Sequence, residues 1–197
     1  MATLDKVGML VDPRINQRRY VGLEHGPLAQ INAIVVHQTD SPSEQATFNS
    51  YVSSNNGAHF LIGKGGAIYQ TASVKMCCYH VGRLLKSRCL ALGRANCSDP
   101  NYLNVKISSF NFINIVERKK PYPERYPVNT DSVGIELVGK HVSPTKYEGV
   151  TVSQNASLRW LIGELSKLFQ LGSEDDVFRH PEVSYKNPGE AAGAKWK

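Results

Sequence analysis

Apolar positions along this chain fall into short runs of two periods, and each period predicts a different element. Ile31-Asn-Ala-Ile-Val-Val-His37 is a β-branched run that closes on a polar cluster, which predicts a buried strand. Ala58-His-Phe-Leu-Ile-Gly63 and Ala67-Ile-Tyr-Gln-Thr71 predict two more, and Gly63-Lys-Gly-Gly66 between them tolerates the positive φ of a hairpin. Ser132-Val-Gly-Ile-Glu-Leu-Val-Gly139 is a further core strand. The helical period is clearest where Leu158, Leu161, Leu165 and Leu168 recur, predicting a helix from Gln154 to Gln170 capped by Ser153. Ser41-Pro42-Ser43-Glu44 reads as another helix start, with Ser41 capping, Pro42 in the first turn and Glu44 completing a capping box. That helix should end near Tyr51, before Asn55-Asn56-Gly57.

Two stretches lack a period. Residues 1–30 read as an irregular lead-in with turn chemistry at Asp12-Pro13 and Gly26-Pro27. About residues 83–126 the pattern gives way to a long Pro-, Asn- and Ser-punctuated insertion with room for one short helix, and a loop of that length is usually functional. Strands and helices otherwise alternate. The expectation is an α/β fold, a central mixed β-sheet flanked by helices, in a single domain over 31–197.

Composition narrows the function. The chain has 197 residues, enough for a core without metal or disulfide staples, and no run approaches the 18 apolar residues of a membrane span. Its first ten residues lack the basic start and apolar stretch of a secretory signal, so synthesis and residence in the cytoplasm are expected before any specialised export. Net charge is +6, but the cations are scattered in ones and twos, without the basic stripe of a nucleic-acid binder. A mild positive excess suits an anionic envelope polymer better. Of the four cysteines, Cys77 and Cys78 are adjacent and poorly placed to bridge, and no zinc-knuckle spacing occurs. Cys89 and Cys97 bracket a loop that they could close in an oxidising compartment, or they could remain thiols.

Three polar residues stand out against the strands. His37 ends its strand, where side chains emerge at a sheet edge; His180 follows a short apolar piece; Glu136 sits among aliphatic neighbours. A carboxylate in such surroundings calls for a cation, a bound water or a functional reason.

Five blocks in order carry a resemblance: Ile34-Val-Val-His37-Gln-Thr; Gly57-Ala-His-Phe-Leu-Ile-Gly-Lys-Gly-Gly-Ala-Ile-Tyr-Gln70; Tyr79-His-Val-Gly82; Asn129-Thr-Asp-Ser-Val-Gly-Ile-Glu-Leu-Val-Gly139; and His180-Pro-Glu-Val-Ser-Tyr-Lys-Asn-Pro-Gly189. Over roughly residues 31 to 196 the chain resembles the zinc-dependent N-acetylmuramoyl-L-alanine amidases, the superfamily of AmpD, T7 lysozyme and the peptidoglycan recognition proteins. The resemblance implies a peptidoglycan hydrolase that cuts the amide between N-acetylmuramic acid and L-alanine of the stem peptide by zinc-activated water. It implies His37 and His180 as zinc ligands, Glu136 as the group that activates the water, and Lys186 as the oxyanion stabiliser. Ala58 stands where T7 lysozyme has its Tyr, which puts the chain with the Glu-using branch. His59 and His80 are further candidates for contact with substrate, or structural histidines.

One block departs from the family. Members carry Asp or Cys before the final Pro-Gly, with Lys two residues earlier; here Asn187 precedes Pro188-Gly189 and Lys186 is one residue out of register. The third zinc ligand is then Glu190, or Asn187 through its carbonyl oxygen, or the metal site is degraded and the protein is a non-catalytic peptidoglycan-binding module. The insertion with Cys89 and Cys97 resembles amidase effectors delivered by type VI secretion. That likeness implies antibacterial action in the periplasm or cell envelope and a cognate immunity protein in the producing cell; phage-type release at lysis and cytoplasmic muropeptide recycling are the alternative settings.

Overall fold

The computed structural model describes residues 2–103, 106–107, 109–172 and 175–197; within the 83–126 stretch, residues 104, 105 and 108 lie outside the described residues. Its strands in chain order are β1 (Thr3–Leu4), β2 (Leu10–Val11), β3 (Ile15–Gln17), β4 (Ala33–Gln38), β5 (Phe60–Ile62), β6 (Ile68–Gln70), β7 (Ser132–Leu137), β8 (His141–Ser143), β9 (Lys146–Tyr147) and β10 (Val177–Arg179). The α-helices are α1 (Glu44–Ser53), α2 (Arg88–Ala91), α3 (Phe110–Glu117), α4 (Val152–Phe169) and α5 (His180–Val183). Six strands build one mixed sheet in the order β10-β4-β7-β5-β6-β3, in which β10, β4, β7 and β5 run parallel and β6 returns antiparallel to β5. The expected α/β architecture is present.

Every residue of β4 is buried, because it lies inside the sheet with layers on both faces; such strands read as continuous apolar runs. Alternation assigns its side chains. Ile34 and Val36 join Val133, Ile135, Leu137, Phe60 and Ile62 beneath Leu158, Leu161, Ile162 and Leu165 of α4. Ala33 and Val35 face the other way, onto Val81, Leu85, Phe178 and Val183. Period two therefore carries His37 to the second face with Ala33 and Val35, and Glu136 to the same face with Ser132 and Gly134. The β4–β7 register pairs His37 directly with Glu136. On that face α1 covers one side, packing Phe48 and Tyr51 on Leu61, and the Val81–Leu85 turn with α5 covers the other. A cleft stays open between them.

The helix starts each shift by two residues from the sequence expectation. Ser43, not Ser41, caps α1 by accepting from the Ala46 amide. Thr151, not Ser153, caps α4, and the Gln154 side chain answers to the Thr151 amide in a reciprocal box. The first thirty residues hold more structure than expected. β1 and β2 form a hairpin, β3 adds a parallel edge to β6, and Leu10 and Ile15 enter the main core. Strands of two or three residues are too short to show a period. Among its described residues the 83–126 stretch holds α2, a 3-10 turn at Arg94–Asn96, α3, a Cys89–Cys97 disulfide and a small core of Cys97, Tyr102 and Ile113. At its centre the buried Glu117 accepts from the Tyr102 hydroxyl at 2.7 Å and pairs with Lys120.

Candidate active site

Three parallel strands deliver the site at their carboxyl ends, where crevices of open α/β sheets bind ligands. His37 is the penultimate residue of β4, Glu136 the penultimate residue of β7, and His180 directly follows β10. Glu190 comes from the turn after α5 and sets a carboxylate oxygen 2.8 Å from His180 Nδ1 and 3.4 Å from His37 Nδ1. These nitrogens and the carboxylate oxygen lie within 4.8 Å of one another, and all three residues are buried.

The hydrogen-bond network assigns the tautomers. His180 Nε2 faces the Val81 carbonyl oxygen at 2.9 Å, an acceptor only, so Nε2 carries the proton. His80 Nε2 likewise faces the Ser132 carbonyl oxygen at 3.3 Å. His80 Nδ1 is then free to accept from His37 Nε2 at 3.1 Å. Both ligand-type histidines are thus left with an Nδ1 lone pair aimed at the Glu190 oxygen. Lone pairs at that separation repel, so a cation belongs among them, either a proton or a metal ion. Two imidazoles and a carboxylate, each with its outer nitrogen satisfied, fit a catalytic zinc set that keeps one position open.

Charge states follow from burial. Burial, then the His180 charge, pushes His37 down to about 4, so it is neutral near pH 7. Burial alone would raise the Glu190 carboxyl; where a proton is the cation among the three groups, hydrogen bonding to His180 and His37 outweighs burial and holds it at about 2. Glu136 is half-buried and opens on the cleft. Burial pushes its carboxyl up to about 7, against a short hydrogen bond from the Tyr51 hydroxyl and with the added push of the Glu190 charge.

Residues 27–196 match the model of the N-acetylmuramoyl-L-alanine amidase family. The chain belongs to this family. No curated protein matches it by sequence. Among solved structures, this family member is similar to a selenomethionine derivative of AmpD, at a TM-score of 0.57 and 17% identity over 98% of this chain and 95% of that one. It is similar to the endolysin N-acetylmuramoyl-L-alanine amidase LysCS from Clostridium intestinale URNW, at 0.52 and 19% over 90% and 88%. It is similar also to PlyL, at 0.53 and 13% over 87% and 84%. At such identities the likeness is one of fold.

Against the amidase family's pattern, the cluster is completed by Glu190 and not by Asn187. Asn187 spends its amide on the β8–β9 hairpin, meeting the Pro144 carbonyl and His141 Nε2 at 2.9 Å each, while its oxygen accepts from the Gly189 amide. Lys186 lines the cleft, and its charge helps hold His37 neutral. His80 lines the cleft but is tied between His37 and Ser132. Of the two further histidine candidates, His59 does not line the cleft. It is fully buried outside the cleft lining, with Nε2 on the Met76 carbonyl and Nδ1 accepting from the Gly134 amide, so it joins backbone to backbone. Tyr51, Arg83 and Arg118 escaped the sequence reading. Tyr51 is one of several buried positions on α1, and only the β7 register brings Glu136 beneath it.

Proposed function

We propose that the protein hydrolyses peptidoglycan at the amide between N-acetylmuramic acid and L-alanine, using zinc held by His37, His180 and Glu190. The observation that carries this reading is the convergence of two imidazole lone pairs and one carboxylate oxygen beside Glu136 in a cleft of about 710 Å3. When bound, zinc supplies Lewis acidity toward the attacking water and the scissile carbonyl oxygen. Glu136 takes a proton from that water and returns it to the leaving amine of L-alanine. A carboxyl near 7 is suited to both directions of transfer. The Tyr51 hydroxyl holds Glu136 in position, and Lys186 sets positive charge where the oxyanion develops. His80 orients His37. The reading puts this action in the bacterial envelope, and the Cys89–Cys97 disulfide supports an oxidising setting.

Incubation with purified peptidoglycan, followed by mass analysis, tests the reaction. Stem peptides with a free L-alanine amine should appear, and both a chelator and His37→Ala should stop their release. Undiminished release from a fully chelated sample overturns the zinc mechanism.

A further inference from the structure

Glu136 and Glu190 line the cleft beside the histidine pair, and the same cleft is lined by Arg83 and Arg118, which the reaction above does not use. Arg118 caps the C-terminus of α3. Its guanidinium is held in place: Nε donates to Asn114 Oδ1 at 3.0 Å, and one terminal nitrogen donates to the Arg83 carbonyl at 3.2 Å. Asn114 Oδ1 also accepts from the Leu85 amide at 3.1 Å, locking α3 to the turn that bears Arg83. Phe110 at the other end of α3 stacks on Tyr185, beside Lys186, with ring centroids 3.9 Å apart. The two bonds consume two of the five guanidinium N–H groups and leave three for a ligand. Among the described residues, no carboxylate forms an ion pair with Arg83 or Arg118. An exposed arginine fixed by neutral acceptors, with its charge unanswered, is prearranged for a planar anion.

We propose that Arg118, assisted by Arg83, is a carboxylate-binding subsite that selects stem peptides with a free carboxylate close to the scissile amide. This rests on the amidase reading and deepens it, because the ligand is the peptide side of the same substrate. When the second stem residue is D-isoglutamate, its side (α) carboxylate is free in any stem, and its terminal (γ) carboxylate is free as well where the stem ends at that residue. Either suits a guanidinium fork.

The test is calorimetry on the full chain carrying Glu136→Gln, so that ligand is not consumed. The ligands are N-acetylmuramoyl-L-alanyl-D-isoglutamate and its forms amidated at the side carboxyl, at the terminal carboxyl, or at both. Amidation of the recognised group should weaken binding about 10- to 100-fold, the scale of a lost charge-assisted hydrogen bond, and the singly amidated ligands say which group it is. Adding Arg118→Ala should weaken the free acid by a similar factor and erase the discrimination. Arg118→Gln, whose amide nitrogen extends about as far as the Arg118 Nε that donates to Asn114 Oδ1, serves if the alanine variant loosens α3. Equal affinity for all four ligands, absent binding of the free acid, or full discrimination without the arginine overturns the subsite. Turnover with Glu136 intact is measured in parallel. Cleavage without discrimination defeats the subsite alone, and discrimination without cleavage defeats the amidase reading alone.

Discussion

Glu136 answers to two demands that a single substitution separates. Its carboxyl titrates near 7 in the folded protein against 4.5 for the ordinary group, so the folded state holds this proton more tightly than the unfolded chain does. Stability contributed by the protonated form is therefore lost as pH rises from 4.5 through 7, and the cost is complete above that. Glu136→Gln should raise the Tm of the metal-free protein by a few degrees at pH 8 and change it little at pH 4, while lowering turnover about 10²- to 10⁴-fold. Thermal melts at the two pH values and one rate measurement check both halves. Glu190 and Asn187 offer the opposite contrast. Glu190→Ala removes the carboxylate facing both histidines and should reduce zinc stoichiometry and activity together. Asn187→Ala loosens the β8–β9 hairpin and should leave zinc content close to that of the unaltered chain. Metal analysis of the two purified variants decides between them. The preference for Glu190 was legible only as chemistry, since a carboxylate binds zinc better than a neutral amide. That Glu190 reaches the histidines depends on the turn after α5.

At the scale of elements, the site depends on two glycines that let chains approach. Gly134 on β7 faces His80, and a Cβ there would lie 2.8 Å from the imidazole carbon, so only glycine lets His80 settle against the sheet and meet His37. Gly82 has φ +84°, and its Cβ would stand 3.2 Å from Lys186 Cε. Gly82→Ala adds left-handed strain and displaces Lys186 from the cleft. The expected outcome is a loss of about 1–2 kcal/mol of stability by denaturant unfolding, with a fall in kcat larger than any change in KM. The strands that present these residues were legible because their runs are long and β-branched. The helix caps each differ by two residues because Ser41, Ser43, Thr151 and Ser153 are all competent caps, and packing of the helix on the sheet chooses among them.

The whole molecule depends on its first residues more than a lead-in would. Ala2, Leu10 and Ile15 are buried in the main core, the Ala2 amide donates to Glu164 of α4 at 2.7 Å, and β3 completes the sheet beside β6. Removing residues 1–17 should uncover β6 and the α4 face. Each large apolar side chain lost from burial is worth about 1.5–3 kcal/mol. The truncated chain should melt well below the full one and bind a hydrophobic dye; an unchanged Tm would show that β1 to β3 are peripheral.

By itself the sequence determined the α/β class, the core strands and the identity of the groups able to do the chemistry. Those features are written in local periodicity and in ionisable residues set among aliphatic ones. Tertiary structure decided which of those groups meet. His37 and Glu136 are almost a hundred positions apart and become neighbours through the β4–β7 register. His59 and His80 look alike in sequence, yet one is tied to backbone on both ring nitrogens and the other to a ligand-type histidine. Arg118 gains its place on the cleft from α3, in a stretch without a readable period. Periodicity reports how each segment meets its own layer, whereas a site is made of contacts between segments, and these are set by register and packing across the whole fold.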